Sequence, residues 1–133
     1  MAEAVIEGRV TGAEAIVTLT LLGPAGDALN VETVVDTGCT APLVMPSAVA
    51  AELGLPLLMT ERAELADGSR VACPVYECRV AWGREIKRVR VTAAGPYSLL
   101  GMGLLDGHRL AIDVTEGGRV AIDPLAGLDD SEE

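Results

Sequence analysis

Apolar and polar residues alternate with a period of two along most of this chain, the pattern of strands that bury one face. From Glu14 to Leu22, Ala15, Val17, Leu19 and Leu21 share one face, while Glu14, Thr18 and Thr20 take the other. Val5 to Val10 reads as a strand before it, and Gly23-Pro24-Ala25-Gly26-Asp27 as the turn after it. Leu29, Val31, Thr33 and Val35 then form the inward face of a strand that ends at Asp36. A helical pattern appears from Pro46 to Leu53: proline suits a first turn, Val49 and Leu53 recur at helical spacing, and Gly54 can end it. Leu57 to Leu65 and Arg70 to Trp82 flank Asp67-Gly68, a strong hairpin signal. Pro74 interrupts the alternation and predicts a bulge or an unpaired edge. Trp82-Gly83-Arg84 turns into a strand from Glu85 to Thr92, with Val89 and Val91 inward. A short helix closes over Leu104 to Gly107, and Leu110, Ile112 and Val114 face Val120 and Ile122 across a turn at Glu116-Gly117-Gly118.

Short, closely spaced strands with few helices indicate an all-β fold, a closed or sandwiched barrel with one or two short helices. The 15 glycines and 7 prolines punctuate it, and 133 residues suffice for one domain with its own core. No repeat or linker divides the chain. With no Phe, one Trp (Trp82) and two Tyr (Tyr76, Tyr97), the core must be built from Val, Leu, Ile and Ala.

A net charge of −10 argues against nucleic acid, which needs a basic face. Five of the ten basic residues fall between Arg79 and Arg90, read as the exposed face of one hairpin. Acidic residues crowd Asp129-Asp130-Ser131-Glu132-Glu133, expected to be a disordered tail. The start, Met1-Ala2-Glu3-Ala4, has no signal-peptide pattern, and the longest uncharged stretches are too short and too broken to span a bilayer. Three cysteines are an odd count for a disulfide framework. On one strand Cys73 and Cys78 would face opposite sides, ~16 Å apart. A single histidine, His108, read as a surface residue in a turn, leaves no zinc set. No metal or other cofactor is implied, and a reducing cytoplasm fits the free thiols.

The chemistry concentrates where Val31-Glu32-Thr33-Val34-Val35 delivers one carboxylate, Asp36, into Thr37-Gly38. A buried strand ending on a charge needs partners for it, because a lone desolvated carboxylate is costly. Read alone, that turn also fits a merely structural strand cap. Three further segments change its meaning. They are the helix-like Pro46 to Pro56, the hairpin tip Leu65-Ala66-Asp67-Gly68-Ser69, and Leu99-Leu100-Gly101-Met102-Gly103-Leu104-Leu105. In this order and spacing, the four resemble the single-domain retroviral-type (retropepsin-like) aspartic proteases, and most closely their bacterial clan AA members. The resemblance implies a retropepsin-like domain over residues 1–124, with 125–133 as the acidic tail.

It also implies an aspartic-type endopeptidase. Such chemistry needs two carboxylates about 3 Å apart sharing one proton. This chain has one Asp-Thr-Gly, so the second Asp36 must come from a second copy, and the expected assembly is a homodimer. By resemblance, Asp36, Thr37 and Gly38 form the catalytic turn, with Thr37 bracing across the two-fold axis. Ala66, Asp67 and Gly68 form a flap over a peptide or protein substrate, and Leu99, Leu100 and Gly101 the strand supporting the turn. Three positions depart from the viral pattern. Met102 and Thr40 stand where an Arg and its acidic partner are usual, and Cys39 stands where Ala or Ser is usual. Asp106 and Asp113 lack the Thr-Gly context and are read as structural or exposed. Two rival readings remain: a catalytically silent protease-like binding or dimerisation module, and a cysteine hydrolase using Cys39. The latter lacks a base other than His108.

Overall fold

β2 (Glu14–Leu22) organises the molecule, because its nine residues are long enough to serve three neighbours. One edge pairs antiparallel with β3 (Ala28–Asp36) from Ile16 to Leu22. The other edge is divided. Its first residues pair with β1 (Ile6–Thr11), and Thr20, Leu21 and Leu22 pair with Ala81, Val80 and Arg79 of β6 (Arg70–Trp82). That last pairing closes a barrel. β6 continues to β7 (Glu85–Ala93), then β4 (Leu43–Met45), β8 (Leu99–Gly101), β3 and back to β2, a ring of six strands. β5 (Leu57–Glu64) hangs on β6, and β10 (Arg119–Pro124) and β9 (His108–Ile112) extend the sheet beyond β1. Two short helices complete the elements, α1 (Ser47–Leu53) and α2 (Met102–Leu105). This computed structural model describes residues 5–64 and 66–126; residues 1–4, Leu65 and residues 127–133 of the acidic tail lie outside the described residues.

The interior is aliphatic, as a chain without Phe requires. Leu19, Leu21, Leu43, Met45, Leu100 and Ile122 are its largest fully buried side chains. Each contributes about 1.5–3 kcal/mol by leaving water. Trp82 is buried in the same cluster. Cys78, Val80 and Trp82 share one parity of β6 and enter this core; Cys73 and Val75, of the other parity, are buried outside it. All three cysteines are free thiols. Gly54 ends α1 in the left-handed conformation, φ 62°, its N–H reaching the carbonyls of Ala50 and Ala51. Among the described residues no helix is long and apolar enough to cross a membrane.

Several expectations shift. β4 is too short to show any period, and α2 begins at Met102, directly after β8, rather than near Leu104; β8 itself falls on the Leu99-Leu100-Gly101 segment expected to be a strand. β9 ends at Ile112, so Ile112 and Leu110 oppose Val120 and Ile122, while Val114 sits 80% exposed in a wider turn. Pro74 pairs with Thr60 of β5 but lies just outside the β6–β7 ladder, which begins at Val75. Having no N–H, proline is tolerated at that unladdered edge; the register irregularity falls on β5, between Leu57 and Met59. His108 is not in a turn: it opens β9, half-buried.

Candidate active site

β3 carries its alternation up to Thr33, which is fully buried and donates its hydroxyl to the Val17 carbonyl at 2.7 Å. This bond pins β3 to β2 just before the chain leaves the sheet. Asp36, half-buried, is the last strand residue. Its Oδ1 accepts the Gly38 N–H at 2.9 Å, and its carbonyl accepts the Cys39 N–H at 3.1 Å. The two bonds curl residues 36–39 into a tight turn and orient the carboxylate, leaving Thr37 and Gly38 exposed.

β8 runs through the mouth of that turn. It lies parallel to β3, with Val34, Val35 and Asp36 opposite Leu99, Leu100 and Gly101, and antiparallel to β4 on its other side. Thus β8 is inserted between the strand that enters the turn and the strand that leaves it. Gly101 donates its N–H to the Pro42 carbonyl at 3.0 Å, and Met102 donates to the Cys39 carbonyl at 2.7 Å. A side chain at Gly101 has no room: its Cβ would collide with the Ala41 carbonyl and crowd the Cys39 carbonyl and Sγ at 2.9 Å. Gly103 is similarly pressed against Thr40 and Pro42. The Leu99-Leu100-Gly101 segment and the Asp36-Thr37-Gly38 turn are therefore brought together as neighbours in one sheet. Thr40 and Met102 are both exposed. Cys39 is half-buried beside them, its thiol directed at the Ala41 carbonyl, 3.9 Å away.

Beside the turn lies a groove of about 420 Å³, lined by Thr37, Met102, Leu105, Asp106, His108 and Leu110. That volume admits side chains or a small ligand rather than a single water. Its His108 wall is fixed from behind, since the buried Trp82 indole donates Nε1–H to His108 Nε2 at 3.1 Å. His108 Nδ1 lies 2.9 Å from the Asp106 carbonyl. Nothing local in sequence announced this contact, which joins residues 26 positions apart.

Ala66, Asp67 and Gly68 sit elsewhere, at the tip of the β5–β6 hairpin. From Glu61 to Glu64 and from Arg70 to Ala72 almost every side chain is exposed, so the end of the hairpin is a two-stranded ribbon clear of the core. Its tip is an Asx turn: Asp67 Oδ1 accepts the Ser69 N–H at 2.9 Å and the Ser69 hydroxyl at 2.6 Å. The Ser69 hydroxyl, followed by its N–H, holds the Asp67 carboxyl below the ordinary carboxylate value. The charged hairpin face predicted downstream is also present, with Arg88 bridging Glu77 at 3.1 Å across β6 and β7.

The closed six-stranded barrel with two short helices matches a retropepsin-like fold. One solved structure similar to the chain is a retropepsin-like aspartic protease from Rickettsia conorii, matched over 94% of this chain and 98% of that one. The TM-score is 0.57 and the sequences are 18% identical, a likeness of fold. No protein-family model and no curated protein sequence matches the chain.

Proposed function

We propose that this chain is an aspartic endopeptidase, active as a homodimer in which two Asp36 carboxylates meet on a two-fold axis. The observation that carries the reading is the Asp36 turn itself. A half-buried carboxylate is held by the Gly38 N–H, with Gly101 packed alongside, at the exposed lip of a retropepsin-like barrel. One chain supplies one such carboxylate, so the site is complete only when a second copy faces it.

In the dimer the dyad holds one proton, because two carboxylates about 3 Å apart do not both ionise. The charged Asp36 takes a proton from a bound water as its oxygen attacks the peptide carbonyl carbon. The protonated Asp36 hydrogen-bonds the carbonyl oxygen and stabilises the tetrahedral intermediate. Collapse breaks the C–N bond and returns a proton to the leaving amine. Thr37 braces the paired turns across the axis. The hairpin tips, Ala66-Asp67-Gly68, close over an extended peptide and add backbone hydrogen bonds to it, as a strand does.

The test is Asp36→Asn. This near-isosteric change keeps the acceptor for the Gly38 N–H but removes the ionisable group. Cleavage of a mixed peptide library should disappear, while thermal unfolding and sedimentation stay close to the parent's. Full turnover in a clean preparation of the variant would refute the assignment.

A further inference from the structure

The outer face of the β6–β7 hairpin carries a charge arrangement that local stability does not explain. Cys78, Val80 and Trp82 point into the core, so Glu77 and Arg79, of the opposite parity, point outward. The register sets Arg79 directly opposite Arg88, and Glu77 opposite Arg90. Like charges at directly opposed positions destabilise a sheet. Glu77 bridges Arg88 at 3.1 Å. The Arg79 guanidinium donates to the Gly23 carbonyl at 3.4 Å, a neutral acceptor that does not cancel its charge. On these two strands three outward arginines thus meet one acid, in a chain whose net charge is −10.

Beside these side chains is a cleft of about 170 Å³, which Arg79, Arg88 and Glu77 line together with Pro24 and Pro56. Its walls are held by backbone. Glu77 donates its N–H to the Pro56 carbonyl at 3.0 Å, and Gly23 donates to the Asp27 carbonyl at 2.8 Å, closing the turn that carries Pro24. Gly23 is itself packed against the end of α1, where an added Cβ would lie only 2.6 Å from the Leu53 carbonyl. Leu22 pairs with both Ala28 and Arg79, so the cleft lies at the Ala28 end of β3. Asp36 is at the other end of that nine-residue strand. The two sites are separate.

We propose that this cleft docks an acidic peptide segment of another protein, one carboxylate of which is held by Arg79 and Arg88. A space of this size takes a carboxylate side chain with a few waters. Guanidinium groups offer paired N–H donors that match a planar carboxylate. Glu77 in the wall narrows the choice, because it repels a phosphate dianion more strongly than the single charge of a carboxylate. The net charge of −10 opposes a long polyanion such as nucleic acid, while a short acidic segment need meet only this face. Ile86, 56% exposed two residues before Arg88, gives the rest of the segment an apolar contact. The docking does not rest on the catalytic reading; in a chain that cleaves proteins, it holds a substrate far from the Asp36 turn.

The experiment uses the full chain carrying Asp36→Asn, so that cleavage plays no part. The probe is a fluorescent polyglutamate peptide read by anisotropy, with the polyglutamine peptide as control. The glutamate peptide should bind and the glutamine peptide should not, and affinity should fall as ionic strength rises. Arg79→Gln and Arg88→Gln should each weaken binding about tenfold, while Arg9→Gln, an equal loss of charge on β1, should change it by less than about twofold. Arg88→Lys, which keeps the charge and loses the fork, should recover only part of the affinity. Arg79→Gln should unfold at or above the parent's temperature, because it removes an opposed like charge. Parent-like affinity in both Arg79→Gln and Arg88→Gln overturns the site, and so does equal weakening by Arg9→Gln, which reduces it to a diffuse field. Inorganic phosphate that displaces the peptide where acetate of equal ionic strength does not overturns the carboxylate assignment. A rise in affinity on changing Asp129, Asp130, Glu132 and Glu133 to their amides, absent in the Arg79→Gln background, makes the chain's own acidic stretch the occupant and overturns the partner.

Discussion

Gly101 shows how a residue with no side chain decides the geometry of this site. Its backbone φ does not call for glycine; the space does, because the turn from Cys39 to Ala41 lies against it. Gly101→Ala must push that turn away from β8 and disturb Asp36, its direct partner in the sheet. Overpacking of this kind costs about 1–3 kcal/mol. The urea midpoint should fall accordingly with the slope unchanged, and peptide cleavage should fall more steeply than stability, since the shift is centred on the Asp36 carboxylate proposed to do the chemistry. A variant with parental stability and activity would show that the turn gives way freely. Cys39 is a contrasting neighbour. Its thiol makes only a long contact to the Ala41 carbonyl, and the chemistry assigned to the turn does not use it. Cys39→Ala should therefore keep its cleavage rate at every pH from 3 to 9. A dead variant whose parent gains rate steadily as pH rises would instead indicate a thiolate mechanism.

At the scale of elements, the β5–β6 hairpin is built in two parts with different duties. Its base is fastened: β6 pairs with β7 from Val75 onward and closes the barrel through β2. Its end, from Glu61 and Ala72 outward, pairs only strand to strand and exposes nearly all its side chains. Few buried contacts mean a low opening free energy, so amide exchange should be fast at the tip and slow at the base. A peptide-like inhibitor should protect the amides around Ala66, Asp67 and Gly68 by capping them with its own backbone. A tip already protected in the free protein, and unchanged by inhibitor, would mark a fixed turn rather than a flap. Acid does not undo the turn in the working range. The Asp67 carboxyl is lowered by Ser69, so its contribution is present above the ordinary carboxylate value and is lost only as pH falls through the lower, folded one.

For the whole molecule, one Asp-Thr-Gly turn per chain would make the proposed activity a property of concentration. Specific activity should fall as the protein is diluted through its dimer dissociation constant. Constant activity per chain where sedimentation finds monomer would contradict the shared site. The pH–rate profile should be a bell with its optimum on the acid side of neutrality. In the proposed dimer the dyad would gain a second proton on one limb and lose its only proton on the other. Met102 and Thr40 stand where the resemblance places an Arg and its acidic partner, so the proposed dimer would lack that ionic brace. Apolar contact at Met102 is the part expected to replace it, which would make pairing less sensitive to salt.

Much of this architecture was legible in the chain because it rests on local rules. The two-residue period of Glu14 to Leu22 set which face is buried, Asp67-Gly68 set the hairpin, and Gly54 set the end of α1. Asp36-Thr37-Gly38 followed by Leu99-Leu100-Gly101 pointed to the fold and to the candidate residues. What the period could not show was β4, whose three residues are a strand only because neighbours on both sides hold them. The division of one β2 edge between β1 and β6 was equally hidden, since barrel closure is a property of curvature summed over several strands. His108 was misread as a surface turn residue for the same reason. Its hydrogen bond comes from Trp82 on another strand, and only the folded barrel brings an indole donor and an imidazole acceptor within 3.1 Å. Local sequence determines which residues can form a strand, a turn or a charged tip; long-range packing determines which of them meet.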